Sequence, residues 1–187
     1  MNTRSRIPLF LCVALAFLNL LLLIRTHQMK SYLQSIPWHP SPQGVSELLE
    51  RSRSWKSTHG TNRSVQTDSR YVLLFIFEPT DCSLCLEDLS ALNALQTQIP
   101  PQRLQIIGVA SQTSIEELRK LADAYGVSFP LLLDESSSAR RLLRLAETPW
   151  KILVDLKDRR IIFDMGPSFW EVERQFFSMR VIQIIKG

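Results

Sequence analysis

Residues 71–77, YVLLFIF, form a continuous apolar run of strand length, and this run limits the possible folds more than any other stretch. A half-exposed strand alternates apolar with polar residues, whereas a strand without polar members is covered on both faces, which takes helices on either side of a sheet. The following residues supply those helices. CSLCLEDLSALNALQTQ (82–98) carries Leu86, Leu89, Leu92 and Leu95 at helical spacing until Pro100-Pro101 stops it. LQIIGVA (104–110) reads as a second buried strand. TSIEELRKLADAYG (113–126) reads as a helix with a capping-box start, either Thr113 with Glu116 or Ser114 with Glu117, and a terminal glycine. A third unit pairs FPLLLD (129–134) with the helix SSARRLLRL (137–145). After Pro149 come the strands WKILVD (150–155) and RIIFDM (160–165), joined by the turn LKDR, and then a closing helix over 168–185, with Ser168 and Glu171 as its expected capping box. The expectation is an α/β fold: a mixed sheet with helices on both faces and an antiparallel hairpin at one edge.

The N-terminal third is different in kind. Before residue 70 stand eight Lys/Arg against three acidic residues, whereas from Arg70 onward 14 basic and 15 acidic residues leave a net −1. The excess of +4 therefore belongs to the N-terminal part, which points to contact with anionic lipid and away from nucleic acid as a partner. Ile7 to Ile24 is an uncharged run of 18 residues. As a helix it spans about 27 Å, close to the hydrocarbon thickness of a bilayer. A cleavable signal peptide competes, since Arg4 and Arg6 suit one, but the run exceeds the usual apolar core and RTHQMKSY after it lacks a small-x-small cleavage site. The organisation expected is a tail (1–6), a transmembrane signal anchor (7–24), a polar tether (25–69) holding at most one short helix at VSELLERS, and a folded domain (70–187). Basic residues in a short N-terminal tail keep it cytoplasmic, so the domain is expected on the extracytoplasmic side.

Cys82 and Cys85 stand at the junction of the first strand and its helix. Residues three apart within a helix hold their Cβ atoms about 5–6 Å apart, whereas a disulfide needs about 3.5–4.5 Å, so closure requires the first cysteine at or just outside the first helical position. Thr80 or Asp81 would cap such a start. There the backbone N–H groups and the helix dipole favour a thiolate, making Cys82 the candidate nucleophile and Cys85 the resolving thiol. Zinc needs four ligands, and the remaining candidates, Cys12, His27, His39 and His59, all lie in the anchor or tether, so no metal is expected. A purely structural disulfide would close a very small loop and constrain the unfolded chain little.

A strand, CxxC at a helix start, ETPWKILVD far downstream, a hairpin and a final helix together resemble the thioredoxin fold. The extra strand–helix unit at about 129–145, the phrase YGVSFPLLLD and the N-terminal anchor resemble more narrowly the TlpA-like, membrane-anchored thiol-disulfide oxidoreductases among the redoxins, over roughly residues 70–180. The resemblance implies that Pro149 is the family's cis-proline, that Thr148 before it pairs with an extended substrate segment, and that Asp88 is an acidic group available for proton transfer. By residue type alone Asp88 reads equally as a solvated helix charge. The chain also departs from the pattern. Asp81 replaces a tryptophan before the first cysteine, Ile76 stands where thioredoxins bury an acid, and Ser83-Leu84 separates the cysteines. Glu78 is the remaining candidate for proton transfer on that side, although its place at a strand end reads as a surface charge.

These features imply exchange of a dithiol for a disulfide with protein substrates, no cofactor, and an electron donor or acceptor in the membrane; the family's reductive roles include cytochrome c maturation. Two other readings stay open. A peroxiredoxin-like peroxidase needs Pro-x-x-x-Thr/Ser-x-x-Cys, and the chain has Pro79-Thr80-Asp81-Cys82. A non-catalytic tethered adaptor would use the fold to bind a partner and leave the cysteines inert.

Overall fold

The computed structural model describes residues 40–58, 69–79 and 83–187 together with Asn19 and Arg25, the side chains of Ser83 and Leu84 excepted. The expected tail at 1–6, the expected anchor at 7–24 apart from Asn19, much of the expected tether, and Thr80, Asp81 and Cys82 lie outside the described residues. Among the described residues no helix is long and apolar enough to cross a membrane. The chain divides into two compact units, Met1–Pro37 and Trp38–Gly187, and the second holds all the described strands.

A six-stranded sheet runs β1 (Lys56–Ser57), β4 (Leu131–Leu133), β3 (Leu104–Ala110), β2 (Tyr71–Phe77), β5 (Trp150–Asp155), β6 (Arg160–Met165). β2, β3 and β4 are mutually parallel, while β5 and β6 form the expected antiparallel hairpin on the far side of β2. Helices α1 (Pro42–Arg51), α2 (Ser83–Gln98), α3 (Ile115–Ala124), α4 (Ser138–Leu143) and α5 (Glu171–Lys186) cover the sheet. The unbroken apolar run of β2 follows from this arrangement. Alternate side chains of a strand point to opposite faces. Leu73, Phe75 and Phe77 join Leu89, Leu92 and Leu95 of α2, Leu118 of α3 and Phe177 of α5 in one core. Val72, Leu74 and Ile76 join Val45 and Leu48 of α1 and Ala139 and Leu143 of α4 in the other. A fully buried aliphatic or aromatic side chain contributes about 1.5–3 kcal/mol, so β2, which serves both cores, tolerates polar substitution at no position.

Local signals place several boundaries. Of the alternative caps for α3, Ser114 with Glu117 is the one formed: the Ser114 hydroxyl accepts the Glu117 N–H at 3.2 Å and the Glu117 carboxylate accepts the Ser114 N–H at 2.9 Å. Gly126 follows that helix at φ +59°, the left-handed region glycine adopts without strain.

Two expectations are corrected. Residues 42–58 do not belong to a polar tether but to the folded unit. Ser41 caps α1, Pro42 occupies its first position, and Val45 and Leu48, three apart on one face, are buried on the sheet. β1 pairs with the edge of β4 through its backbone, so a polar sequence serves there as well as an apolar one. The closing helix begins at Glu171, three residues later than expected, and Ser168 with Glu171 is not its capping box. The Glu173 carboxylate instead accepts the N–H groups of Phe169 and Trp170 at 2.7 and 3.0 Å, while Ser168 is drawn into the interior.

Candidate active site

The C-terminal end of β2 is where the chemistry-bearing residues meet. β2 ends at Phe77, and α2 leaves the same end of the sheet with Cys85 in its first turn, fully buried against Phe75, Phe77 and Leu89. Its thiol donates to the Glu78 carbonyl oxygen at a long 3.9 Å. Cys82, the candidate nucleophile, lies outside the described residues. The Thr148–Pro149 peptide bond is cis. The antiparallel register that sets Ile76 opposite Trp150 carries Pro149, buried, and Thr148, half-buried, to the same end of β2.

Both candidate proton-transfer acids are buried, contrary to their reading as surface charges. Glu78 is 4% exposed; its carboxylate accepts from the Ser111 hydroxyl at 3.3 Å and lies 3.6 Å from the Arg140 guanidinium. Arg140 also donates to the carbonyls of Leu145 and Ala146, at 3.3 and 2.7 Å, fastening the loop that leads to the cis-proline. Asp88, one turn beyond Cys85, is 1% exposed because the helix turns it inward, where it meets a charge the sequence reading passed over.

That charge is Lys151. It is the second residue of β5, and the alternation of the strand aims it into the core shared by α2 and α5, where it is 1% exposed. Its ammonium donates to Asp88 Oδ2 and to Ser168 Oγ, both at 2.7 Å, and lies 5.6 Å from the centre of the Phe177 ring. Arg174 of α5, 8% exposed, donates to the Ser168 carbonyl at 3.0 Å and pairs with Glu87 of α2 at 2.5 Å and Glu171 at 3.2 Å. Burial pushes the Asp88 carboxyl above its usual range, with Lys151 opposing the shift. Burial likewise pushes Lys151 down, with Asp88 opposing. Lys151 lies within electrostatic reach of Cys85, whose negative charge would strengthen its hold on a proton. A lysine inside the strand WKILVD, apolar but for it and the terminal Asp155, is the sequence signal for this group: a charge at a covered position implies a buried partner. Ser168 and Arg174 carry no comparable signal, since serine and arginine beside a helix start are ordinary surface residues.

Among the described residues no cluster of His, Cys, Asp and Glu could hold a metal ion. The residues that converge are a thiol, two carboxylates, a buried ammonium and a cis-proline loop, a set suited to handling sulfur and protons.

This topology, with a cysteine in the first turn of the helix after the central strand and a cis-proline beside it, defines the thioredoxin-like class of fold. The family model described as the AhpC/TSA family matches residues 53–166, and the chain belongs to that family. No curated protein matches the chain in sequence. Among solved structures it is similar to a secreted disulfide oxidoreductase of Mycobacterium tuberculosis homologous to DsbE of E. coli (TM-score 0.59, 15% identity, 72% of this chain and 98% of that one). It is likewise similar to StoA of Bacillus subtilis (TM-score 0.52, 16% identity, 66% and 93%) and to peroxiredoxin Q of Xanthomonas campestris (TM-score 0.57, 12% identity, 69% and 89%). At these identities the likeness is one of fold.

Proposed function

We propose that the protein is a membrane-anchored thiol-disulfide oxidoreductase that exchanges a Cys82–Cys85 dithiol or disulfide with protein substrates on the extracytoplasmic side. The observation that carries this reading is the place of Cys85: a buried thiol in the first turn of α2, at the end of β2 that the cis Thr148–Pro149 turn also occupies. In this scheme Cys82 attacks the substrate disulfide, Cys85 resolves the mixed disulfide, Thr148 and Pro149 hold an extended substrate segment, and Asp88 accepts and returns a proton, with Glu78 as the second acid near the thiol. The uncharged run at 7–24 acts as the anchor, and a membrane protein supplies or removes electrons. Names of similar structures, a disulfide oxidoreductase among them, support the same direction.

The test is reduction of insulin disulfides by the reduced chain, compared with Cys82→Ser and Cys85→Ser. Loss of turnover in both variants is expected; turnover unchanged in both would sink the proposal. Membership of the AhpC/TSA family and the likeness to a peroxiredoxin support a second reading, a peroxidase using Cys82 alone. It predicts peroxide consumption that survives Cys85→Ser and disappears with Cys82→Ser. A protein substrate trapped by Cys85→Ser in intact cells is expected of the oxidoreductase, whereas an adaptor with inert cysteines traps nothing and consumes no peroxide.

A further inference from the structure

Stability does not explain the Lys151–Asp88 pair. Taking two charges out of water costs several kcal/mol per ion, and apolar residues of the same volume usually serve a core as well or better. Yet the pair sits in the apolar layer that holds Cys85, with the ammonium fixed from three elements: Asp88 on α2, Ser168 in the loop after β6, and Phe177 on α5. The crevice around it leaves no room for a water molecule. The charged groups around the ammonium each have a place in the arrangement. Asp88 meets it from α2 at 2.7 Å, with Cys85 one turn earlier on the same buried side of that helix, and Arg174 approaches from α5, itself neutralised by Glu87 and Glu171. On the other side of Cys85, Glu78 and Arg140 offset each other.

We propose that Lys151 is a positioning residue for Cys85: its ammonium is the fixed counter-charge that passes from the Asp88 carboxylate to the Cys85 thiolate when the proton of Cys85 moves to Asp88. The proposal rests on the oxidoreductase reading. Before the step the buried set is thiol, carboxylate and ammonium; after it, thiolate, carboxylic acid and ammonium, so no net charge is created in the interior. The Cys85 sulfur then attacks the Cys82 sulfur of the mixed disulfide. The Cys82–Cys85 bond forms, the bond to the substrate sulfur breaks, and that sulfur leaves with the electron pair and takes the proton from Asp88. Over the whole exchange two electrons and two protons pass from the dithiol to the substrate disulfide, and Lys151 keeps its protons throughout. Without the ammonium, the thiolate would form in a medium of low dielectric with no counter-charge to offset it.

The experiment titrates Cys85 directly. In a full-length chain carrying Cys12→Ala and Cys82→Ser, Cys85 is the sole thiol, and the shift of its labelled ¹³Cβ reports thiolate against pH. Asp88→Asn in that background is expected to lower the titration midpoint, since the ammonium then faces the sulfur without a competing carboxylate. Adding Lys151→Met is expected to raise it again by a pH unit or more, about a tenfold loss of thiolate at neutral pH. Circular dichroism checks the fold of each variant; if Asp88→Asn does not fold, Lys151→Met alone against the parent gives the same comparison, a higher midpoint expected. A midpoint that Lys151→Met leaves within a few tenths of a unit overturns the proposal, because a merely structural lysine would not move it. Insulin reduction by the chain with both active-site cysteines reports separately on the oxidoreductase reading. Its absence with a shifted midpoint removes that reading and leaves the coupling, whereas activity with an unmoved midpoint removes the coupling alone.

Discussion

A lysine ammonium inside an apolar layer makes the sign of its contribution to stability calculable. Burial holds the Asp88 carboxyl above its ordinary 3.8, so the folded chain binds that proton more tightly than the unfolded chain does. Stability from such a group is complete below about pH 3.8 and is lost as the pH rises through the folded-state value. Lys151 is lowered from 10.5, again by burial, so its contribution is complete above that value and is lost as the pH falls through the folded one. At neutral pH each group, held charged, therefore costs stability. Replacing both, Asp88→Leu with Lys151→Met, is expected to leave the fold as stable or up to about 4 kcal/mol more stable, whereas Lys151→Met alone strands a buried carboxylate and costs about 3–5 kcal/mol. The deficit of the single variant shrinks as the pH is lowered toward 4, because Asp88 then takes up a proton. Urea unfolding at a series of pH values measures both, and a double variant less stable than the single one would refute the argument. Arg140 invites a simpler test, since its guanidinium holds the carbonyls of Leu145 and Ala146 beside the cis-proline turn. Arg140→Ala is expected to cost roughly 1–3 kcal/mol and to speed amide exchange through 145–148. Unchanged exchange there would mean that the loop is held by its neighbours.

At the scale of elements, what could be read from the sequence depended on how each element is stabilised. Strands β2, β3 and β5 are covered on both faces, so their residues form apolar runs visible without a structure. α3 was visible through its cap and its glycine. β1 was not, because an edge strand joined by backbone hydrogen bonds leaves no pattern in its side chains. α1 was half visible: Val45 and Leu48 show the period, but ten residues rich in polar groups read equally as a solvated turn of helix. At the site, Cys85, Asp88 and Pro149 were legible through spacing and resemblance, while Lys151 required knowing which face of β5 is covered. The contact of α1 with α4 depends on a position with no side chain. A Cβ at Gly44 would clash with the carbonyl oxygen of Leu142, a backbone atom with little freedom to retreat. Gly44→Ala is expected to cost about 1–3 kcal/mol, lowering the thermal midpoint by several degrees, even though alanine favours a helix in isolation. A midpoint that rises would show that α1 stands off α4 in solution.

For the whole molecule, the decisive matter is where the autonomous fold begins. The composition places it at residue 70, where the charge excess ends and the apolar runs start; the packing places it at Trp38. The second core explains the difference. α1 brings Val45 and Leu48, 3% and 0% exposed, against the face of β2 formed by Val72, Leu74 and Ile76, and β1 closes the otherwise open edge at β4. A chain cut at Arg70 keeps every strand of the thioredoxin-like sheet except β1, yet it bares an apolar face on one side and a row of unpaired backbone groups on the edge. The two lost side chains alone account for about 3–6 kcal/mol, a large share of the 5–15 kcal/mol that separates folded from unfolded domains. A chain spanning 38–187 is therefore expected to unfold in one cooperative transition at a urea midpoint close to that of the same unit in the full-length protein. A chain spanning 70–187 is expected to unfold at clearly lower urea, bind a hydrophobic dye and associate as its concentration is raised. Equal midpoints and equal dye binding in the two would mean that residues 38–69 lie on the domain without helping to hold it together.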